Sequence, residues 1–280
     1  MITRAPAKLN LCLYLGPVRE DGLHELRSLF CPLALSDRIK VTTADDELDE
    51  VVCEGVEGSN LAADALAALR ARGWKRPPLR IEIDKRIPVA AGLGGGSADA
   101  AAVLRLAEGE VDGLAALALE LGADVPSQLA PAFSLVAGAG ERIEPLRAPG
   151  SFGLVAVAFE QGLSAGEVYA EADRLGIGRT ASELELVEGE LRQAAGGGAS
   201  PLAYAELLKN DLEEAALSLR PEIGGALDAL RGAGAEVAFV TGSGPTAVGL
   251  FPDIVAADRG YGELGPEWAD ALVTGSAPGA

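Results

Sequence analysis

Between Pro88 and Ala102 the chain reads Pro-Val-Ala-Ala-Gly-Leu-Gly-Gly-Gly-Ser-Ala-Asp-Ala-Ala-Ala, with Gly92, Gly94, Gly95 and Gly96 packed together and Ser97 directly after them. An apolar, strand-like segment, Leu79 to Ile83, lies just upstream, and an Ala-rich helical run follows. The order strand, glycine loop, helix N-terminus restricts the local fold sharply. Glycine lets backbone N–H groups come close to an anion and adopts positive φ without strain. A helix start adds unpaired N–H groups and the positive end of a dipole. The product is a phosphate cradle; the plainer alternative is a tight turn before an ordinary helix. Three other cradles do not fit. No Gly-Lys-Ser/Thr follows, as a Walker A loop needs. The dinucleotide fingerprint lacks its third glycine, since Ser97 stands there. His24, the sole histidine, is followed by Glu25 and Leu26, so the protein-kinase His-Arg-Asp loop is absent.

Composition bounds the partners. The 280 residues suffice for one large domain or two modest ones. Asp and Glu number 42 against 23 Lys and Arg, a net charge of −19. Such a surface argues against nonspecific binding to nucleic acid or to anionic membranes. It leaves room for small anionic ligands, because a local cradle can overcome a repulsive global field. Cys12, Cys31 and Cys53 show no C-x-x-C spacing, and with one histidine a His/Cys metal site is not expected. The cysteines read as buried, reduced thiols of a cytoplasmic protein. No run approaches a membrane span. Leu9 to Leu15 alternates and is broken by Asn10, so it reads as a strand rather than a signal segment.

The period-two pattern from Lys8 to Leu15 puts Leu9, Leu11, Leu13 and Leu15 on one face. Lys8, Asn10, Cys12 and Tyr14 share the other. Lys8 and Asn10 are a solvated pair or, beside a phosphate cradle, ligands. Further strands are expected in His24–Leu33, Arg38–Thr43, Leu154–Phe159, Ala235–Val240 and Ala247–Phe251. A hairpin is expected around Gly138-Ala139-Gly140. Helices are expected over Asn60–Arg72, Ser97–Ala107, Gly113–Leu121, Glu167–Arg174, Ser182–Ala194, Leu202–Arg220 and Ile223–Arg231, with Gly122–Pro126 irregular. Arg147–Ser151 reads as a linker, dividing the chain into 1–150 and 151–280. Helices and strands mix without steady βαβ alternation, which favours an α+β fold.

Taken together, these segments resemble the GHMP small-molecule kinases. Pro88 to Ser97 is similar to the second motif of that superfamily. Gly242-Ser243-Gly244-Pro245-Thr246 is similar to the third, and Ala5-Pro6-Ala7-Lys8-Leu9-Asn10-Leu11 to the first. Asp21 to Leu26, Gly122-Ala123-Asp124-Val125-Pro126 and Asn210-Asp211-Leu212-Glu213 narrow the likeness to the branch acting on a CDP-linked methylerythritol polyol. The resemblance implies two α+β lobes, an N-terminal one with the ATP-binding loop and a C-terminal one, with the active site between them. It implies transfer of the γ-phosphoryl of ATP, with Mg²⁺, to a tertiary hydroxyl. Other superfamily kinases, for homoserine, a mevalonate-type alcohol or a sugar, are the nearest rivals. A weakly catalytic nucleotide-binding regulator is a rival of another class.

Residue by residue, the resemblance makes Asp124 the general base and Lys8 its cationic partner. Asn10, His24, Gly242, Ser243 and Gly244 fall to the substrate, His24 reading cytosine. Pro88, Gly92, Gly94, Gly95, Gly96 and Ser97 fall to the nucleotide. Asn60 touches adenine, or N-caps its helix, or both. Lys85 reaches a phosphate or is a surface lysine. Asp99 reads as a first-turn helix charge rather than a metal ligand; the metal ligands are not assigned. Two departures bear on the substrate. Leu23 stands where the family has tyrosine, so a stacking ring must come from elsewhere, such as Tyr169 or Phe159. Ser127-Gln128 and Ala130-Pro131-Ala132 replace the family's apolar and Gly-Gly-Thr residues.

Overall fold

A computed structural model describes residues 1–277 except 57, 90 and 160. Ala90, within the glycine-rich stretch, thus lies outside the described residues. In chain order the strands and helices are β1 (Ile2–Val18), β2 (His24–Thr43), β3 (Glu50–Cys53), α1 (Leu61–Ala71), β4 (Leu79–Asp84), α2 (Gly95–Leu104), α3 (Leu114–Leu121) and α4 (Val125–Leu129). They continue as β5 (Ser134–Gly138), β6 (Arg142–Pro145), β7 (Gly153–Val157), α5 (Ala165–Leu175), α6 (Ala181–Ala195), α7 (Glu213–Leu219) and α8 (Glu222–Gly232). The last are β8 (Val237–Val240), β9 (Ala247–Phe251), α9 (Ile254–Gly262) and β10 (Leu272–Gly275).

The chain divides into two compact units that interleave along the sequence: Met1–Ala7, Leu35–Val89 and Gly94–Pro131 form one, and Lys8–Ala34, Ala90–Leu93 and Ala132–Ala280 the other. In the first unit, β4 pairs in parallel with β3 and antiparallel with the second half of β2, Ile39 opposite Ile83. The apolar side chains of this sheet pack on α1, whose Ala62, Ala65, Leu66 and Leu69 recur at helical spacing, and on α2. Residues 98–104 of α2 are all buried. Their small side chains let α2 lie against both α1 and α4.

The second unit has two antiparallel groups. The first half of β2 pairs with β5, and β5 with β6. Four further strands run in the order β10-β7-β9-β8. Val155, Val157, Val240 and Phe251 of that sheet share a core with Ile223, Leu227 and Leu230 of α8.

Several sequence expectations shift. The segments His24–Leu33 and Arg38–Thr43 are one strand. Polar Ser36-Asp37 breaks the apolar pattern, but Asp37 is fully buried and accepts the backbone N–H of Arg86 and Ile87, at 2.6 and 2.8 Å. Lys8 to Tyr14 is not half-solvated: both faces are buried. The expected helix Leu202–Arg220 is instead a 3₁₀ turn, Pro201–Leu207, followed by an extended stretch and then α7. The extended stretch pairs with β1 around Leu13 and Asn210, and this tertiary pairing outweighs helix propensity. Gly122–Pro126 runs into a short helix, α4. Cys12 and Cys31 are buried, which pushes both thiols up to about 12, whereas Cys53 is only half-buried.

Candidate active site

The first unit carries the cradle. β4 ends at Asp84, and α2 begins at Gly95, two residues earlier than the sequence suggests. Gly94 is its N-cap in the left-handed region, φ +69°, with no side chain capping the helix. Gly92, which belongs to the second unit, is left-handed too, φ +70°. Both conformations favour glycine. Among the described residues no side chain caps the first N–H groups of α2, which stand at a dipole's positive end, an arrangement that suits an anion. Ser97 is half-buried in the first turn, and Pro88 is half-buried in the loop before it.

Lys85 is largely buried and ion-paired rather than a solvated surface lysine. Its Nζ donates to Asp37 Oδ2 at 2.5 Å and to Asp99 Oδ2 at 2.9 Å. Burial works against its charge, but these two carboxylates hold its pKa above the ordinary value. Asp99 is not a first-turn helix charge. It is buried within α2, and burial raises its carboxyl to about 7 against the pull of Lys85. Its Oδ1 has no hydrogen-bond partner among the described residues. A Cβ on Gly95 would stand 3.1 Å from Lys85 Nζ, so the ammonium backs the very start of α2.

Asn60 N-caps α1, its side chain accepting from Ala62 N–H at 2.9 Å. Asp124 occupies the N-cap position of α4 without a side-chain capping bond, so capping is not its side chain's job. Its carbonyl accepts from Ser127 Oγ at 2.7 Å. Ser127 is thus satisfied within the turn, while Gln128 is buried with Oε1 unpartnered among the described residues. A cavity of about 420 Å³ opens in this unit. Of the expected site residues its charged walls include Lys85 alone.

The second unit holds Lys8 and the residues that the sequence assigns to the substrate. Lys8 and Asn10 are 5% and 4% exposed, and Lys8 Nζ donates to Asn10 Oδ1 at 2.5 Å. The same ammonium sits 4.9 Å from the Phe30 ring centre, a favourable cation–π distance. Asn10 Nδ2 donates in turn to Ser28 Oγ at 2.9 Å. Lys8 N–H donates to the carbonyl of Leu93, next to Gly92. Gly242 and Gly244 are buried and left-handed, with φ +59° and +81°. A Cβ on Gly242 would lie 3.3 Å from Asn10 Oδ1 and 3.9 Å from Lys8 Nζ. Ser243 between them is half-buried.

His24 Nδ1 lies 3.0 Å from the Gly16 carbonyl, which fixes it as the donor nitrogen, and Nε2 lies 3.2 Å from Asp173. The Tyr169 ring is 5.4 Å from the His24 ring, tilted by 31°. Phe159 instead meets Trp268 edge-on and joins the core beside β7. Leu23 is exposed. Of the two aromatic rings suggested by the sequence, only Tyr169 stands at His24.

An uncapped helix start behind left-handed Gly94 and a buried lysine–asparagine pair beside a second glycine turn are the local features that the resemblance to GHMP kinases leads one to expect, and the family models match. The model described as GHMP kinases N terminal domain matches residues 60–133, and GHMP kinases C terminal matches residues 190–270. The 4-diphosphocytidyl-2-C-methyl-D-erythritol kinase of Streptomyces avermitilis is 40% identical over 91% of this chain and 89% of its own. A crystal structure of a 4-(cytidine 5'-diphospho)-2C-methyl-D-erythritol kinase superposes with a TM-score of 0.78 at 34% identity, covering 99% of this chain and all of that one. Homoserine kinase from Cytophaga hutchinsonii shares the fold alone, with a TM-score of 0.68 at 16% identity over 99% and 93% of the two chains. The chain belongs to the 4-diphosphocytidyl-2-C-methyl-D-erythritol kinase family, and it is a phosphotransferase.

Proposed function

We propose that this enzyme moves the γ-phosphoryl group of ATP to the tertiary 2-hydroxyl of 4-(cytidine 5'-diphospho)-2-C-methyl-D-erythritol, in the methylerythritol phosphate route to isoprenoids. The observation that carries the phosphate side of this reading is the uncapped start of α2 behind left-handed Gly94. Its N–H groups cradle the nucleotide phosphates, with Pro88, Gly92, Gly95 and Gly96 shaping the loop. Ser97 supplies a hydroxyl to a β-phosphate oxygen or to Mg²⁺. Mg²⁺, when bound, neutralises phosphate charge. Among the described residues no cluster of His, Cys, Asp or Glu could hold a metal ion. That fits an ion arriving on the nucleotide and keeping mostly phosphate and water ligands.

An alcohol is a poor nucleophile, and Asp124 accepts its proton as phosphoryl transfer proceeds. Lys8 stabilises the negative charge of the reacting groups, and Asn10, bonded to Lys8, holds the polyol with Gly242, Ser243 and Gly244. Asn60 keeps its cap through Oδ1 and turns Nδ2 to adenine. Lys85 acts on the nucleotide through its field at Gly95 rather than by direct contact. His24 reads cytosine, and Tyr169 takes the stacking part that Leu23 cannot. The family segments fall on either side of residue 150, but the compact units interleave, with residues 8–34 and 132–150 in the same unit as 151–280, so a boundary at 150 divides the family segments rather than the packed units. The cytoplasmic setting suggested by the thiols belongs to the same reading; no helix among the described residues is long and apolar enough to cross a membrane.

The test is ATP turnover with CDP-methylerythritol beside homoserine, mevalonate and galactose. Turnover confined to the CDP-linked polyol is expected. A preference for any of the other three alcohols would sink the substrate assignment.

A further inference from the structure

The stretch Asn210-Asp211-Leu212-Glu213 has no part in the chemistry above, yet it stitches two parts of the second unit together. On one side it follows β1. Leu13 N–H donates to the Lys209 carbonyl and Asp211 N–H to the Leu13 carbonyl, both at 2.8 Å. Asp211 Oδ2 accepts from Leu15 N–H at 3.0 Å, and Arg179 grips both Asp211 oxygens at 2.7 and 2.8 Å. On the other side lies the glycine turn. Asn210 Nδ2 donates to the carbonyls of Val240, at 2.6 Å, and Gly242, at 2.7 Å. Glu213 accepts from Val240 N–H at 2.8 Å. Asn210 Oδ1 is held by Leu212 N–H at 3.0 Å, so the amide cannot flip without loss.

One carboxamide thus uses its donors on two carbonyls that flank Thr241. From the opposite side Thr241 Oγ1 accepts from Asn10 N–H at 3.1 Å and donates to the Asn10 carbonyl at 3.2 Å. The turn is clamped between β1 and the 210–213 strap, which brings Gly242 against Asn10 and Lys8. A Cβ at 242 would crowd Asn10 Oδ1 at 3.3 Å, on a left-handed backbone that already disfavours a side chain.

We propose that Asn210 is a positioning residue: its carboxamide sets the Thr241–Thr246 turn against Lys8 and Asn10, and so fixes where the phosphoryl acceptor is held. The consequence for catalysis rests on the function proposed above; the placement of the turn does not. Asn210→Asp keeps the shape but puts a carboxylate oxygen against two carbonyls. Asn210→Ser leaves a single, shorter donor.

The test joins steady-state kinetics with amide hydrogen exchange on the full chain. In Asn210→Asp, kcat with the CDP-polyol falls about 10²-fold, the scale of a slightly misplaced reacting group. KM for ATP stays within about threefold, because the cradle is untouched. Exchange at Thr241 and Gly244 speeds up roughly tenfold or more, while β7 and β9 amides keep their protection. Asn210→Ser falls between the two, and it is judged by the same criteria if the Asp variant does not fold. Unchanged exchange in the turn would overturn the proposal. So would an even rise through β7 and β9, which would mark Asn210 as a general fold contact. If the unmodified enzyme ignores the CDP-polyol while turn exchange responds as stated, the substrate assignment fails and the positioning role stands.

Discussion

Asp124 and Asp99 are carboxylates of one unit in opposite settings. Asp124 is half-buried, its side chain does not cap α4, and the proposed function makes it the proton acceptor. Asp124→Asn keeps its size and removes the acceptor, so kcat falls roughly 10²–10⁴-fold; ATP binding by calorimetry and the melting temperature stay close to wild type. Near-normal kcat in that variant would exclude the base. Asp99 shares the Lys85 ammonium with Asp37, and burial raises its carboxyl from 3.8 to about 7. Because the folded value is raised, its contribution to stability is full below the unfolded value and is lost as pH rises through the folded one. The melting temperature of Asp99→Asn, relative to wild type, therefore climbs from about pH 4 to about pH 7 and then levels. A difference that is flat with pH would show that Asp99 does not carry the shift. These two residues also mark what the sequence discloses. Gly-Ala-Asp-Val-Pro pointed to Asp124 because the motif is local. The contacts of Lys85 with Asp37 and of Asn210 with Val240 join partners far apart in sequence, and no spacing rule reaches them.

At the scale of elements, the strand–loop–helix unit around the glycines was legible because each part has its own local cause: β4 by apolar pattern, the turn by glycine, α2 by alanine. The errors came where tertiary pairing overrode such causes, as in the 3₁₀ turn and extended strap of residues 201–212. Short β3 and β10 gave no pattern long enough to read, and α9, capped by Asp253, was missed as well. The start of α2 carries a prediction at Gly95. A Cβ there would press on Ile87 Cγ2 and Lys85 Nζ, each at 3.1 Å. Gly95→Val therefore acts by pushing the helix start off its support. Overpacking of this kind costs about 1–3 kcal/mol, so ATP affinity drops by roughly tenfold or more while the CDP-polyol site is less affected. Gly96 gives the comparison. A Cβ there meets Leu61 Cδ1 at 3.5 Å, an ordinary contact, so Gly96→Val costs less ATP affinity than Gly95→Val. Equal calorimetric losses in both variants would mean that bulk, not the Gly95 contact, is what matters.

For the whole molecule the governing quantity is the net charge of −19, set against two anionic substrates. The long-range field repels both. In the proposed function the attractions that oppose it are short-ranged: the N–H groups opening α2, and a Lys8 ammonium almost wholly withdrawn from water. Salt acts unequally on these. Mobile ions screen exposed charges beyond about 8–10 Å at physiological strength but reach buried groups far less. Raising ionic strength from about 20 to about 150 mM at constant free Mg²⁺ therefore removes repulsion and leaves the cradle's attraction standing. KM for each nucleotide substrate falls, by roughly two- to tenfold, and kcat/KM rises accordingly. The value of kcat itself stays flat, since charge repulsion during approach is already overcome in the bound complex. A steered enzyme with a basic entry path shows the reverse, kcat/KM declining as salt rises. That decline, in initial rates taken across the salt series, would mean that local positive charge dominates approach despite the acidic surface.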